Sequence, residues 1–306
     1  VTDGPNEWLA RPAQIDLNCD SFSSSDGTML NIGIVSQARI GSSRLPAKVL
    51  MNAGGRTLLE WHFDRLASSG YQSILATTTE RLDDPLYEWA CEAGVPVFRG
   101  SEDNVLLRYL DCARHFDLDV IVRVTSDCPL IDGELVAAGI RHYLAFDETR
   151  QYVTNGQHRT FPRGFDFEIF SFELLEEAYQ RAVEPYEYEH VTPYFYHPAI
   201  TRGAKNRSAK NRRANNSSAI DSDDSSGSSG GSQYRRMDIA LRHFTQAEDH
   251  SHLRVTVDTI EDYELVRCLI EDYNASRCNH QQITEILNRN PELVAINHSI
   301  VQKQVV

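Results

Sequence analysis

Short apolar runs and segments with apolar residues every three or four positions take turns along most of this chain. "NIGIV" (31–35) reads as a buried strand. "RTLLEWHFDRLASSG" places Leu58, Leu59, His62, Phe63 and Leu66 on one helical face and ends at Gly70. "QSILATTT" is a second strand, and "DPLYEWACEAG" a second helix with Pro85 in its first turn. A short strand "VPVFRG", a helix "DNVLLRYLDCARHF", a β-branched strand in "DVIVRVTSDCPLI", a helix "DGELVAAGIRHYLAF" and a short strand "YVTN" follow. After "TFPRGFDFEIFSF", the stretches "FELLEEAYQRA" and "EYEHVTPYFYHP" are helix-like. "LRVTVD" predicts a strand, "IEDYELVRCLIEDY" a helix and "HQQITEILNRN" a closing helix. Such alternation predicts an α/β fold: a mainly parallel sheet with helices on both faces. Ligands in these folds bind at the carboxyl ends of the strands. The loops "TTTERLDD", "RGSED" and "TSDCPL" and the one beginning at Ala38 all follow strands, so they are expected to meet in one crevice.

Two stretches stand outside this pattern. Residues 1–29 mix Pro, Asp, Ser and Asn without periodicity and read as a loose extension of a single domain over 30–306. Residues from about 203 to 234 are rich in Ser and Asn, with a basic half followed by an acidic one. They contain too few large apolar residues to join a core and are expected to form a disordered insertion.

Composition narrows the function. The 306 residues are 41% apolar, enough for a real core, and carry a formal net charge of −14. That charge disfavours nucleic acid and anionic membranes as partners. Six cysteines without a C-x-x-C pair argue against a zinc site or a disulfide framework and fit a reducing compartment. No apolar run approaches the roughly 20 residues that span a bilayer, and the polar, acidic start does not resemble a secretory leader. The expectation is a cytoplasmic protein.

Against this acidic background, "GIVSQARIGSSRLPAKVL" (33–50) is distinctive. Gly41, Ser42 and Ser43 let the backbone approach an anion and offer N–H and hydroxyl donors. Arg39, Arg44 and Lys48 supply charge, and Pro46 stiffens the approach to Lys48. Arginine clamps phosphate oxygens in pairs, and lysine acts as a point charge. The pattern is neither G-x-x-x-x-G-K-[ST] nor G-x-G-x-x-G; the bland alternative is a solvated basic loop.

Two carboxylates complement it. Asp127 follows the strand in "RVTSDCPL", where it is either a magnesium ligand or a turn residue; Asp132 or Gly133 is better placed to cap the next helix. Asp258 follows "LRVTV", and Thr259 with Asp262 forms a weak capping box that leaves Asp258 free. Together these features suit a triphosphate, its Mg²⁺ ion and a nucleophile aimed at the α-phosphorus.

In order, "QARIGSSRLPAKVL", "ATTTERLDDPL", "FRGSEDNVLLRY", "RVTSDCPLID", "TFPRGFDFEIFSFELLEEA", "EHVTPYFY" and "LRVTVDTIEDYELV" resemble cytidylyltransferases of the spore-coat polysaccharide biosynthesis protein F type, relatives of the acylneuraminate and 3-deoxy-manno-octulosonate enzymes. The resemblance covers about 32–297. It implies a three-layer α/β/α nucleotide-diphosphosugar transferase (Rossmann-like) fold and Mg²⁺-dependent transfer of CMP from CTP to a 3-deoxy-2-keto sugar acid, releasing pyrophosphate, for surface polysaccharide or glycan synthesis. It implies nucleotide binding by Gln37, Ala38, Arg39, Gly41, Ser42, Ser43, Arg44, Lys48, Thr78 and Ser101. Catalytic roles fall to Arg39, Lys48 and Asp127, and metal binding to Asp127 and Asp258. Lys48-Val49 stands where acylneuraminate enzymes usually have Lys-Asn, which argues against sialic acid. On the acceptor side, Arg163, Asp166, Glu168 and His190 are candidates; for Arg163 the alternative is a surface ion pair, and for His190 a buried structural role. His62 and His115 are expected to be structural or surface groups. A homodimer is expected by the same resemblance. A glycosyltransferase of the same fold is the second reading; "SDC" supplies one Asp rather than D-x-D. A nucleotide-binding scaffold is the third.

Overall fold

The computed structural model describes residues 29–146, 148–196 and 239–300. The expected insertion at about 203–234 and all but the last residue of the expected extension over 1–29 lie outside the described residues.

Seven strands form one sheet in the order β5-β4-β1-β6-β8-β7-β9. They are β1 (Ile32–Gln37), β4 (Gln72–Thr78), β5 (Val97–Gly100), β6 (Val120–Thr125), β7 (Gln151–Thr154), β8 (Glu168–Ser171) and β9 (Ala240–His243). A two-stranded ribbon, β2 (Asn52–Ala53) with β3 (Arg56–Thr57), stands apart. Pairings among β5, β4, β1 and β6 are parallel; β8 runs antiparallel to β6 and β7, and β9 lies parallel to β7. The expected three-layer α/β/α architecture with a mainly parallel sheet is therefore present. The chain runs outward from β1 through β4 to β5 and then returns to place β6 on the other side of β1. The order reverses between β1 and β6, so their carboxyl ends open a crevice. The register pairs the last residues of those strands, Gln37 and Thr125.

The strands read as apolar runs because both faces are covered. Ile34, Val122 and Ile169 enter one core with Val136 and Ile140 of α4 (Gly133–Leu144) and Leu265 and Leu269 of α8 (Ile260–Tyr273). Their neighbours Val35, Ile121 and Phe170 point the other way. They pack with Leu106 and Leu110 of α3 (Val105–His115) and Leu174 and Leu175 of α5 (Phe172–Arg181). A third cluster joins Leu59 and Phe63 of α1 (Leu58–Leu66) to Leu86 and Ala90 of α2 (Asp84–Ala93). Local chemistry sets the helix starts: Thr57 and Glu60 form a capping box on α1, Asn104 caps α3, and Asp132 caps α4.

Several elements differ from expectation, and the strands β2, β3 and β9 have no counterpart among those expected. "LRVTVD" is extended but is not a ladder strand; it crosses the strand ends through scattered bonds, Val255 N–H to Arg163 O (2.7 Å) and Val257 N–H to Asp127 O (2.8 Å). "EYEHVTPYFYHP" is broken into α6 (Pro185–His190) and α7 (Pro193–Tyr196). The break is a tight turn at Val191, φ 69° and ψ −55°, closed by Thr192 N–H to His190 O at 2.8 Å. For a β-branched residue this is a strained conformation, held by complete burial of the Val191 side chain. Finally, α9 (His280–Arg289) does not close the chain's fold; α10 (Pro291–Asn297) follows it.

Candidate functional site

The crevice at the ends of β1 and β6 has a volume of about 560 Å³. The loop after β1 doubles back on itself, with Ser42 N–H and Ala47 N–H both donating to Ile40 O at 2.7 and 3.0 Å. A single 3₁₀ turn then buries Val49 and delivers Lys48 into the crevice. Arg39, Ser42, Ser43, Arg44 and Lys48 line one wall with Gln37 and Ala38. Gly41 lies in the same loop. The expected meeting of loops occurs: Ile40 N–H reaches Asp83 Oδ1 at 2.7 Å, Arg39 faces Glu102 at 3.8 Å, and Ser126 N–H reaches Gln37 O at 3.1 Å.

Lys48 is the hub. Its ammonium donates to Asp127 Oδ2 (2.9 Å), Asp258 Oδ1 (2.9 Å) and Val257 O (2.7 Å). The two carboxylate oxygens share one nitrogen, so they are no more than twice that first distance apart. Burial pushes the Asp127 carboxyl up, but the Lys48 ammonium together with hydrogen bonds from Thr125 and Cys128 outweighs it and holds the group at about 2. Burial would lower Lys48, yet Asp127 and Asp258 together raise it. Asp258 carries further cations: Arg44 at 2.9 Å on Oδ1 and Arg254 at 2.8 Å on Oδ2.

The backbone fixes both carboxylates. Thr259 caps α8 with Asp262 in a capping box, as its sequence suggests, and Asp258 is left to the crevice. Asp262 accepts from Asp258 N–H (3.0 Å) and from Arg254 Nε (2.8 Å), so it orients both. Under Asp127 lies a buried chain of bonds: His62 Nδ1 to Cys128 O (2.9 Å), His62 Nε2 to Ser36 Oγ (2.8 Å) and Ser36 Oγ to Ser126 Oγ (2.7 Å). A carbonyl only accepts, so Nδ1 carries the proton and Nε2 accepts from Ser36. Burial lowers the His62 imidazole to about 4, which keeps that neutral tautomer in place.

The donor set suits a divalent ion that takes only part of its shell from protein. Among the described residues no group of three or more His, Cys, Asp or Glu side chains forms a metal cage. Two carboxylates already bracket a cationic group, and magnesium is commonly held by one or two carboxylates with phosphates and waters supplying the rest. Asp127 and Asp258 are the residues that would hold it.

The lining also contains Arg123, Thr125, Glu189 and His190. His190 ends α6 immediately before the strained turn, and burial lowers its imidazole pKa. Glu168 lies behind this lining, bonded by Arg123, Tyr152 and Thr192. Of the remaining expected residues, Thr78 turns its hydroxyl to Asp83, and Ser101 accepts from Asn104 N–H at 3.1 Å. Asp166 is paired with Arg159, and Arg163 lines a separate cavity behind Arg254. Thr78, Ser101, Arg163 and Asp166 are not among the residues that line the crevice.

Sequence reasoning passed over Arg108, Arg123 and Arg254. Arg108 is almost fully buried in the crevice wall, with one guanidinium nitrogen 2.8 Å from Ser101 O. The signal was present: each is a lone charge inside an otherwise apolar helix face or strand, and such a charge needs a specific partner.

A family profile described as Cytidylyltransferase matches residues 32–275. An uncharacterized protein of Methanocaldococcus jannaschii is 32% identical over 89% of this chain and 96% of its own length. The spore coat polysaccharide biosynthesis protein SpsF of Bacillus subtilis is 30% identical over 86% of this chain and 97% of its own. The structure of a cytidylyltransferase from Leptospira borgpetersenii, 30% identical, superposes with a TM-score of 0.71 over 90% of this chain and 100% of that one.

Proposed function

Since this chain belongs to the cytidylyltransferase family, we propose that it transfers CMP from CTP to a hydroxyl of a 3-deoxy-2-keto sugar acid. The observation that carries this reading is the Lys48 ammonium held between Asp127 and Asp258 at the β1/β6 switch point.

The acceptor oxygen forms a bond to the α-phosphorus as the bond to the bridging oxygen breaks, pyrophosphate leaves with the electron pair, and the hydroxyl proton is released. Ser42, Ser43, Arg39 and Arg44 bind the triphosphate, and Lys48 exchanges its carboxylate partners for phosphate oxygens. Fixed cations beside those oxygens stabilise charge as it builds up in the transition state. Magnesium held at Asp127 and Asp258 would supply further charge neutralisation at the phosphates. Arg123 and His190, which also line the crevice, face the acceptor. His190, neutral because burial lowers its pKa, is available to take the hydroxyl proton.

The test is pyrophosphate release, with each of the four nucleoside triphosphates offered against a panel of 3-deoxy-2-keto sugar acids and Mg²⁺. The expected result is turnover with CTP and at least one such acid. Turnover only with a nucleotide sugar as donor would overturn the reading.

A further inference from the structure

Behind the Asp258 cluster lies a second cavity of about 260 Å³. It is walled by aliphatic side chains of α8, α9 and α10 and by six polar residues: Arg163, Ser251, His252, Arg254, Asn297 and His298. Nothing in the transfer reaction uses it. Its two arginines sit side by side because their backbones pair in a parallel bridge, with Arg163 N–H on Leu253 O at 2.9 Å. Arg254 is buried and directs its guanidinium to Asp262 and Asp258. Asn297, also buried, braces this pair through Nδ2 to Arg254 O (3.2 Å) and Asp262 Oδ1 (2.8 Å).

Arg163 is different. Among the described residues its guanidinium has no hydrogen-bond or ion-pair partner. Asp166, three residues on, is taken by Arg159 and by Gly164 N–H at 3.1 Å. Desolvation and the neighbouring cations Arg159 and Arg254 disfavour the charged guanidinium and lower its pKa, a penalty that an incoming anion would relieve. His252 and His298 are exposed at the rim. The cavity thus combines an unpaired arginine, a buried braced arginine, imidazole donors and aliphatic walls.

We propose that this cavity binds a compact oxyanion, a carboxylate or phosphate, on Arg163, and that its occupancy acts on the crevice through Arg254. The coupling path is short: the guanidinium facing this cavity holds Asp258 Oδ2 at 2.8 Å, while Asp258 Oδ1 holds Lys48 and Arg44. An anion that draws on Arg254 weakens its hold on Asp258 and frees that carboxylate to hold Lys48 and Arg44 more firmly, and the effect is reciprocal.

Calorimetric titration of the full chain with inorganic phosphate and, separately, succinate tests the site. Phosphate also suits the crevice, so Lys48→Ala is run in parallel. The expected result is a binding event retained in Lys48→Ala and weakened about tenfold or more in Arg163→Gln, the loss of one charge-assisted contact. Succinate binding alone assigns the site to carboxylates; phosphate binding alone assigns it to phosphates. Unaltered binding in Arg163→Gln, or loss of all binding in Lys48→Ala, overturns the site. If Arg163→Gln does not fold, His252→Ala decides: several-fold weaker binding supports the site and unchanged binding overturns it. In the second arm, CTP affinity is measured with and without saturating anion. A shift in wild type that vanishes in Arg163→Gln is expected, and no shift overturns the coupling. Failure of CTP to bind at all would count against the transfer reaction, while the anion titration would still decide this cavity.

Discussion

Lys48 and His62 show how single side chains set the crevice. Lys48→Ala removes a charge-assisted partner from both carboxylates and, in the proposed reaction, from the triphosphate. Turnover is expected to fall by about 10- to 100-fold, as loss of one such contact costs about 1.5–3 kcal/mol. Asp258 keeps Arg44 and Arg254, so the fold should survive; wild-type steady-state pyrophosphate release from the folded variant would count against the role. His62 makes a separate, pH-dependent contribution. Its folded-state pKa of about 4 lies below the ordinary 6.5, so the unfolded chain takes up a proton that the folded one refuses. This contribution is fully present above pH 6.5 and is lost as pH falls towards 4. The loss comes to about 3 kcal/mol across that window, at roughly 1.4 kcal/mol per pH unit. Urea unfolding at pH 7 and pH 5 should show it in the wild type, and a folded His62→Gln variant should show a shallower slope. The loop residues around Lys48 were legible from sequence because glycine, serines and cations crowd one short stretch. For Arg108, Arg123 and Arg254 the lone charge was visible but its partner was not, because each partner lies on another element or inside the crevice.

Among elements, the extended segment that carries Asp258 matters most. Its fit depends on Gly164, which adopts φ +116° and has so little room that a Cβ would sit 2.8 Å from Thr256 N. Gly164→Ala therefore strains the backbone and pushes on the 253–258 segment at once. A stability loss of about 1–3 kcal/mol is expected, with a fall in turnover because Asp258 and Arg254 move together. A variant with unchanged melting temperature and turnover would show that the segment yields freely. The apolar alternation of this segment is that of a strand; it lacks a ladder because it passes over the strand ends instead of joining an edge. β9 escaped notice for a related reason: its four residues alternate between half-buried and exposed, and none is fully buried. α10 is too short to show a period. The apolar runs of β1, β4 and β6 were plain, since burial on both faces leaves few polar positions to blur them.

At the scale of the whole molecule, a cationic crevice is set in an acidic protein. Five cationic side chains, Arg39, Arg44, Lys48, Arg108 and Arg123, line it against three carboxylates, Asp127, Glu189 and Asp258, while the full chain carries −14. An approaching nucleotide is repelled at long range and attracted at contact. Salt at about 0.15 M screens beyond roughly 8 Å, so it weakens the repulsion more than the contact. Nucleotide association, followed by stopped-flow fluorescence, should hold steady or quicken as salt rises to that level. A steep decline would mean that attraction already dominates at a distance.

The place of Lys48 between two aspartates has a consequence for how the protein lives without its ligands. An acidic pair left bare would repel itself and make the folded state hostage to metal supply. Here the chain brings its own counter-ion on a tether, so the pair is balanced without a bound cation. Incubation with a strong chelator should leave the melting temperature where it was. A metal ion held at Asp127 and Asp258, as proposed, would have to displace a lysine, which would favour delivery of metal and triphosphate together, since the phosphates would offer the displaced ammonium somewhere to go. Binding of Mn²⁺ followed by electron paramagnetic resonance should accordingly be weak in the free enzyme, strong with CTP, and strengthened without CTP in Lys48→Ala. Tight Mn²⁺ binding to the free wild type would show that the lysine yields its place without competition.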